Sequence, residues 1–426
     1  MKTYKYPGKP EWEALQQRPE LDVTSLFDTV RSILEDVRTN GDEAVRKYGE
    51  RFDKVCVADL LVSQEEIKNS ESLIDEDLMY AMIEAKRNIE KFHAHQYFDH
   101  GKTEIRPGIT CWQKPVAIEK VGLYIPGGTA PLFSTVLMLA IPAVMAGCKE
   151  VVLCTPPDNE GKIYPAILCA AKLAGVKKIF KAGGVQAIAA MTYGTESIPK
   201  VYKIFGPGNP YVVAAKQLVS LTDVAIDMPA GPSEVEIIAD ASADPAYVAA
   251  DFLAQAEHGA DSQSILVTTS ETLAEAAKKE IAIQLSGLPR RDFIEKSLSH
   301  SRIIILKDDA EMTEFTNQYA PEHLIIQTGN YAELSAGIVN AGSVFLGRFT
   351  PESAGDYASG TNHTLPTGGY AKMYSGVNLD SFMRKITFQE ITKNGLRMLA
   401  PTIEAMAANE QLEAHRNAVT VRLKNG

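Results

Sequence analysis

From about residue 11 to residue 100 apolar side chains recur at helical spacing. Thr24 through Asn40 places Phe27, Val30, Ile33, Leu34 and Val37 on one face, with Gly41 just past the end. Ser63-x-x-Glu66 has the form of a capping box, and Leu78, Met79, Met82, Ile83 and Ile89 form the stripe of a second long helix. From Val121 the period changes. Short β-rich runs (Val121–Ile125, Val151–Cys154, Lys178–Lys181, Lys203–Phe205) alternate with helical stretches around 131–146, 164–174 and 185–193. That alternation predicts a parallel sheet with crossover helices. Glycine turns follow the runs at Gly127-Gly128, Gly183-Gly184 and Gly206-Pro-Gly208-Asn209, where ligands of such sheets bind, at the carboxyl ends of the strands.

A second alternating block begins at Val235–Ala239. Asp244-Pro245 reads as a cap with proline in the first helical position, and Gly259 ends that helix. Runs at Ile265–Thr268, Arg302–Leu306, Leu324–Gln327 and Val344–Leu346 follow as strands. After about Gly376 the pattern is helical again, with Pro401 opening a last amphipathic helix through Ile403, Met406 and Ala407 towards His415. The expected organisation is a largely helical region over 1–113, an α/β unit over 114–230, a second α/β unit over 231–375 and a helical tail over 376–426.

Composition narrows the function classes. A chain of 426 residues, 45% apolar and 23% charged, is long enough for roughly two to three domains with their own cores. A net charge of −11 argues against nucleic acid, which needs a basic face. The uncharged stretch from Val121 to Cys148 contains Pro126, Gly127, Gly128, Pro131 and Pro142, so it reads as strand, turn and buried helix, not as a membrane span. No apolar segment follows the basic N-terminal residues, and a cytosolic location is the default expectation. The cysteines at 56, 111, 148, 154 and 169 are odd in number with no CxxC spacing, which points to neither disulfides nor a thiolate metal site.

The chemistry-bearing residues are few. Gln255 and His258, three apart near a helix end, share one face. Asp356 lies in a stretch too rich in Gly, Ser and Asn for a core element, and His415 sits on the polar C-terminal helix. Each has an ordinary reading: helix-end Gln and His are commonly solvated, and an Asp can simply close a turn. Together they offer nitrogen and oxygen ligands without sulfur, suited to zinc or manganese acting as a Lewis acid. Glu322-His323, after Pro321 and before a strand, can divide acid/base work if the chain bends there; the alternative is a surface Glu beside a partly buried His. His363 is a candidate substrate contact; His93 and His95 cannot share a helix face and read as solvated, and nothing is assigned to His100 or to His300, which reads as part of a polar turn.

Gly206-Pro-Gly-Asn-Pro210, Asp227-Met-Pro-Ala-Gly-Pro-Ser-Glu234, Gln255-Ala-Glu-His-Gly259, Pro321-Glu-His-Leu324 and Glu352-Ser-Ala-Gly-Asp-Tyr-Ala-Ser-Gly-Thr-Asn-His363 resemble the histidinol dehydrogenase family, in order and spacing, from about residue 20 onward. The resemblance implies two tandem Rossmann-like units of the aldehyde-dehydrogenase-like kind. It implies oxidation of L-histidinol through the aldehyde to L-histidine with two NAD⁺ and one zinc ion. Carried over residue by residue, Gln255, His258, Asp356 and His415 would hold zinc, and Glu322 and His323 would be the acid/base residues. Ser233, His363 and Glu410 would contact histidinol, together with the zinc ligands and His323; Tyr124, Gln186 and Asn209 would face NAD. Family members are homodimers whose tails supply Glu410 and His415 to the partner's site. No GxGxxG is present, so the dinucleotide rests on the resemblance alone. A zinc-dependent hydrolase, a cysteine-based aldehyde dehydrogenase and a non-catalytic binding protein are the rival readings of the same residues.

Overall fold

The protein is described by a computed structural model over residues 1–19, 22–98, 101–127 and 130–424, so Gly128 and His100 lie outside the described residues. The chain divides into two compact units, Met1–His95 with Ile118–Phe382, and Gln96–Ala117 with Met383–Gly426. Strands in chain order are β1 (Lys2–Lys5), β2 (Lys102–Arg106), β3 (Ile109–Ala117), β4 (Lys120–Tyr124), β5 (Glu150–Thr155), β6 (Lys178–Lys181) and β7 (Lys203–Phe205). They continue with β8 (Ala225–Ile226), β9 (Glu234–Ala239), β10 (Gln263–Thr268), β11 (Arg302–Ile305), β12 (His323–Gln327), β13 (Ser343–Leu346) and β14 (Met383–Ile391).

The first unit holds two parallel sheets. One has the order β6-β5-β4-β7-β8, the other β1-β11-β10-β9-β12-β13. Each is wound outward in both directions from one inner strand, β4 or β9, so the strand order reverses between β4 and β7 in one sheet and between β9 and β12 in the other. The strands expected from the sequence are present within a residue or two of their bounds. The second sheet is buried on both faces, as parallel sheets are: Val235, Ile237, Phe252 and Ile294 pack on one side, while Ile238, Met312, Phe315 and Trp12 pack on the other. Over the first sheet, Val30, Ile33 and Val37 of the helix Phe27–Tyr48 pack with Ile188 and Val212.

Several elements depart from the sequence reading. The first strand, β1, pairs parallel with β11 some 300 residues later (Lys2↔Arg302), and no periodicity in four residues foretells that. In the second unit β2, β3 and β14 form an antiparallel sheet in the order β14-β3-β2. Neither the N-terminal region nor the tail is therefore purely helical. Pro401 does not open a helix: it lies inside Lys393–Asn409, whose start is set by Thr392, its hydroxyl accepting the Gly395 N–H at 3.1 Å. His93 is fully buried, its Nδ1 donating to the Ile89 carbonyl at 2.9 Å, with burial lowering its pKa; only His95 of that pair is exposed. His300 is the last residue of a helix (Arg291–His300), and Asp356 sits on a six-residue helix, Glu352–Tyr357, not in a loop. Among the described residues no helix is long and apolar enough to cross a membrane; Val121–Cys148 contains most of β4 and the helix Phe133–Met145.

Candidate active site

Strands β9 and β12 lie side by side at the centre of the second sheet, with His323 opposite Val235. Their amino ends therefore bring residue 234 against residues 322 and 323. The Glu234 N–H donates to Glu322 Oε2 at 2.9 Å, and the Glu234 carbonyl is 3.4 Å from His323 Nδ1. The bend that lets neighbouring residues serve one site is at Ala320, which is left-handed (φ 54), a conformation costing a non-glycine residue about 1–2 kcal/mol. Backbone strain of this kind persists where the surroundings over-determine it. Both side chains are buried, Glu322 at 5% and His323 at 3% exposure.

Around His323 the structure gathers carboxyl groups. Nδ1 is 3.7 Å from Glu322 Oε2 and 3.6 Å from Glu352 Oε1, and Nε2 is 3.7 Å from Asp356 Oδ1. These separations are too long for hydrogen bonds. Nor are they ion pairs: burial, reinforced by His258, pushes the His323 pKa down to about 3, so the imidazole is neutral. Burial raises Glu322 and Glu352 well above the usual carboxylate range and lifts Asp356 to about 7. Behind them Asp251 is likewise raised by burial to about 7, with Gln327 Nε2 donating to it at 2.7 Å. A cluster of neutral imidazoles and crowded carboxyls is short of positive charge, the condition that a divalent cation would reverse.

The donor atoms fit such a cation. His258, Glu352 and Asp356 each offer a ligand atom within 4.8 Å of the others. Gln255, in the last turn of the helix Pro245–Ala256, is fully buried with neither amide atom hydrogen-bonded; both oxygens of Glu352 and Nε2 of His323 are in the same state. Buried polar atoms of this kind are normally satisfied. His258 lies just past the helix end and keeps part of its ring open to solvent, while the protein packed behind it and the Arg290 guanidinium lower its pKa. Glu352 had no role assigned from sequence. The signal was available: it stands four residues before Asp356 on one helix, which puts both carboxyls on one face.

His363 joins this cluster to the other sheet. Its Nδ1 donates to the Asp356 carbonyl at 2.9 Å, and its Nε2 accepts from Thr135 Oγ1 at 3.1 Å, with burial taking its pKa down to about 4. Thr135 belongs to the helix that follows the carboxyl end of β4. Asn362 adds a second link, its Nδ2 donating to the Met138 carbonyl at 2.5 Å. The cluster thus sits at the amino ends of the second sheet, against the usual rule for open α/β sheets, where His363 and Asn362 meet the helix that follows the carboxyl end of β4.

Tyr124, Gln186 and Asn209 lie at or just past the carboxyl ends of the first sheet. The Tyr124 hydroxyl, at the end of β4, accepts the Gly184 N–H at 3.0 Å. Gln186 is fully buried, its Nε2 3.4 Å from Asp53 and its Oε1 without a partner. Exposed Asn209 caps the helix Pro210–Ser220 by accepting the Val212 N–H at 3.1 Å. Gly206, at φ 125, lets the turn pass so close to β4 that a Cβ would run into the Tyr124 carbonyl oxygen. Ser233 precedes β9 directly beside Glu234, half-buried. Glu410 and His415 belong to the second unit, at and beyond the end of Lys393–Asn409, and are exposed there. Burial pushes the Cys148 thiol up to about 12 and Cys154 higher, so neither carries a reactive thiolate.

A family model described as "Histidinol dehydrogenase" matches residues 16–423. The chain belongs to the histidinol dehydrogenase family. It is 66% identical over 423 residues to the histidinol dehydrogenase of Bacteroides thetaiotaomicron, covering 99% of each. It is 51% identical to the chloroplastic histidinol dehydrogenase of Arabidopsis thaliana, covering 100% of this chain and 92% of that one. The crystal structure of the enzyme from Elizabethkingia anophelis superposes with a TM-score of 0.98 at 53% identity, over 100% of this chain and 98% of that one. An NAD-dependent aldehyde dehydrogenase from Sinorhizobium meliloti shares the fold at 14% identity, with a TM-score of 0.50 over 85% of this chain and 87% of that one. The activity is that of histidinol dehydrogenase: NAD- and zinc-dependent oxidation of L-histidinol to L-histidine, the final step of histidine biosynthesis. The hydrolase, cysteine-enzyme and pure binding readings fall with that finding.

Proposed function

We propose that Glu322 and His323 divide the proton transfers of this oxidation, and that the donors around them hold zinc and substrate. The observation that carries this reading is the Thr135–His363 contact, which joins the imidazole–carboxyl cluster to the helix that follows the carboxyl end of β4. Bound zinc supplies a Lewis acid that fixes the substrate, and bound NAD⁺ accepts hydride. Gln255, His258, Asp356 and His415 would be the zinc ligands. Ser233, His363 and Glu410 would contact histidinol alongside them, and Tyr124, Gln186 and Asn209 would face NAD. A second copy of the chain would supply Glu410 and His415, making the working form a homodimer with shared sites. The 114–230 segment is then the NAD-facing half and 231–375 the zinc half, with 376–426 as the exchanged tail.

His323, kept neutral by burial, has a lone pair free to take the hydroxyl proton of the alcohol, its orientation held by the Glu234 carbonyl at Nδ1. An aldehyde must add water before a second hydride can leave. Glu322 is the base for that step: burial raises its pKa, so its ionised form is a stronger base than an exposed carboxylate, and a divalent cation among the neighbouring donors would favour that ionised form. Single-turnover measurements of NADH formation, started from histidinol and from the aldehyde, test the division. His323→Asn should slow both by ~10²–10⁴-fold, whereas Glu322→Gln should spare the alcohol step more than the aldehyde step. Equal losses in both halves would refute it. One observation favours a variant of the ligand set, because Glu352 stands closer to His258 and Asp356 than a bystander need. Zinc content separates the two: loss in Glu352→Gln but not in His415→Ala favours Glu352 as the donor.

A further inference from the structure

Two backbone segments deliver the proposed acid/base pair, the start of β9 and the turn before β12, and one side chain from far away in sequence holds both. Arg18 follows the N-terminal helix Lys9–Leu15. Its Nε and Nη2 form a fork on the Glu234 carboxylate, with Nη2 2.9 Å from Oε1. The same Nη2 donates to the Tyr319 carbonyl at 2.7 Å and reaches the Ala320 carbonyl at 3.5 Å. The guanidinium stacks 3.8 Å from the Tyr319 ring centroid. Glu234 is 2% exposed and Arg18 20%. A planar five-donor guanidinium suits this geometry in a way that a lysine ammonium does not.

What Arg18 grips is what positions the pair. Glu234 offers its N–H to Glu322 and its carbonyl to His323, so the orientation of one residue's backbone sets both side chains. Tyr319 and Ala320 lead directly into Pro321-Glu322-His323, and Ala320 is the residue held in the left-handed conformation. Without the fork, Glu234 would keep a buried carboxylate with no cation beside it, and the turn would be free to relax.

We infer that Arg18 is a positioning residue for the Glu322–His323 pair, acting from the N-terminal arm by bridging the Glu234 carboxylate to the 319–320 turn. This rests on the reading of Glu322 and His323 as the acid/base pair. Arg18 touches neither of them, and its role is to hold the backbone that does. Enzymes lose rate steeply when a reacting group is misplaced by an ångström, with losses on the order of 10²-fold.

The test uses the full-length zinc-loaded enzyme. Arg18→Met should lower kcat at least about tenfold while the KM for histidinol and for NAD⁺ and the zinc content change little. Arg18→Lys keeps the charge but not the fork, and should fall between Met and the parent. The decisive measurement is a cycle with Glu322→Gln: if Arg18 acts through Glu322, adding Arg18→Met to Glu322→Gln costs less than about threefold more. A purely structural Arg18 would lower the melting temperature and multiply with Glu322→Gln. A folded Arg18→Met with parental kcat, or fully multiplicative losses, overturns the inference. Should Arg18→Met fail to fold, Arg18→Lys stands in its place, and parental kcat in that variant overturns the inference equally. Parental activity in Glu322→Gln itself would instead sink the underlying reading of the pair.

Discussion

Replacing Lys216 with methionine should destabilise the fold and, with Asn209 facing NAD as proposed, weaken the cofactor's binding. Lys216 Nζ lies 2.5 Å from Asp227 Oδ1 and donates to the Gly206 carbonyl at 2.7 Å, with the two side chains only 5% and 2% exposed. Asp227 Oδ2 in turn accepts the Gly206 N–H at 2.8 Å, so the pair pins both the N–H and the carbonyl of Gly206 and with them the turn ending in Asn209. Methionine preserves the stem but leaves the Asp227 charge buried and unpaired, a change that costs about 3–5 kcal/mol. Neutralising both partners avoids that charge, so Lys216→Met/Asp227→Asn should regain at least ~1 kcal/mol over the single variant. Urea unfolding, followed by circular dichroism, measures both. The KM for NAD⁺ should rise in Lys216→Met more than the KM for histidinol. Loss of less than ~1 kcal/mol in the single variant, or a double variant that is the less stable of the two, refutes the reasoning.

Glu236 is fully buried, and burial raises its pKa from 4.5 to about 8. Its carboxyl is then held protonated, with Thr316 Oγ1 donating to Oε1 and also reaching the Met312 carbonyl at 2.9 Å. The folded state binds this proton more tightly than the unfolded one, so stability is full below pH 4.5 and falls as pH rises towards about 8. The slope is roughly 1.4 kcal/mol per pH unit, with a total of about 4–5 kcal/mol as an upper bound. Glu236→Gln should flatten that decline in urea titrations across the same range; an unchanged pH profile counts against it. Gln255→Met should lower zinc affinity yet make the chelator-treated protein more stable by about 1–3 kcal/mol, since it removes a buried amide with no protein partner. Equal destabilisation with and without chelator would argue for a structural Gln255. Gly206→Ala should cost more than the ~1–3 kcal/mol of backbone strain alone, because its Cβ meets a main-chain oxygen; a melting temperature within error of the parent would contradict this.

The alternation of apolar runs and helices, written into residues 121–346 by short-range periodicity, is enough to specify two parallel sheets. Residue chemistry likewise marked Glu322-His323 and a sulfur-free set of N/O donors as candidates, and the resemblance of the surrounding blocks to the histidinol dehydrogenase family gave them roles. What the sequence could not decide is non-local. Pairing of β1 with β11 and of β3 with β14 joins segments hundreds of residues apart, and backbone hydrogen bonds between strands leave no mark on either strand alone. The same holds for Arg18 on Glu234, for burial of His93, and for Glu352 beside His323, whose significance arises only when three-dimensional packing takes water away. Even the location of the site, at the amino ends of β9 and β12, follows from how two sheets meet at Thr135 and His363. Local patterns choose elements and reactive groups; distance in space, which sets burial, charge and alignment, is decided only when the chain closes on itself.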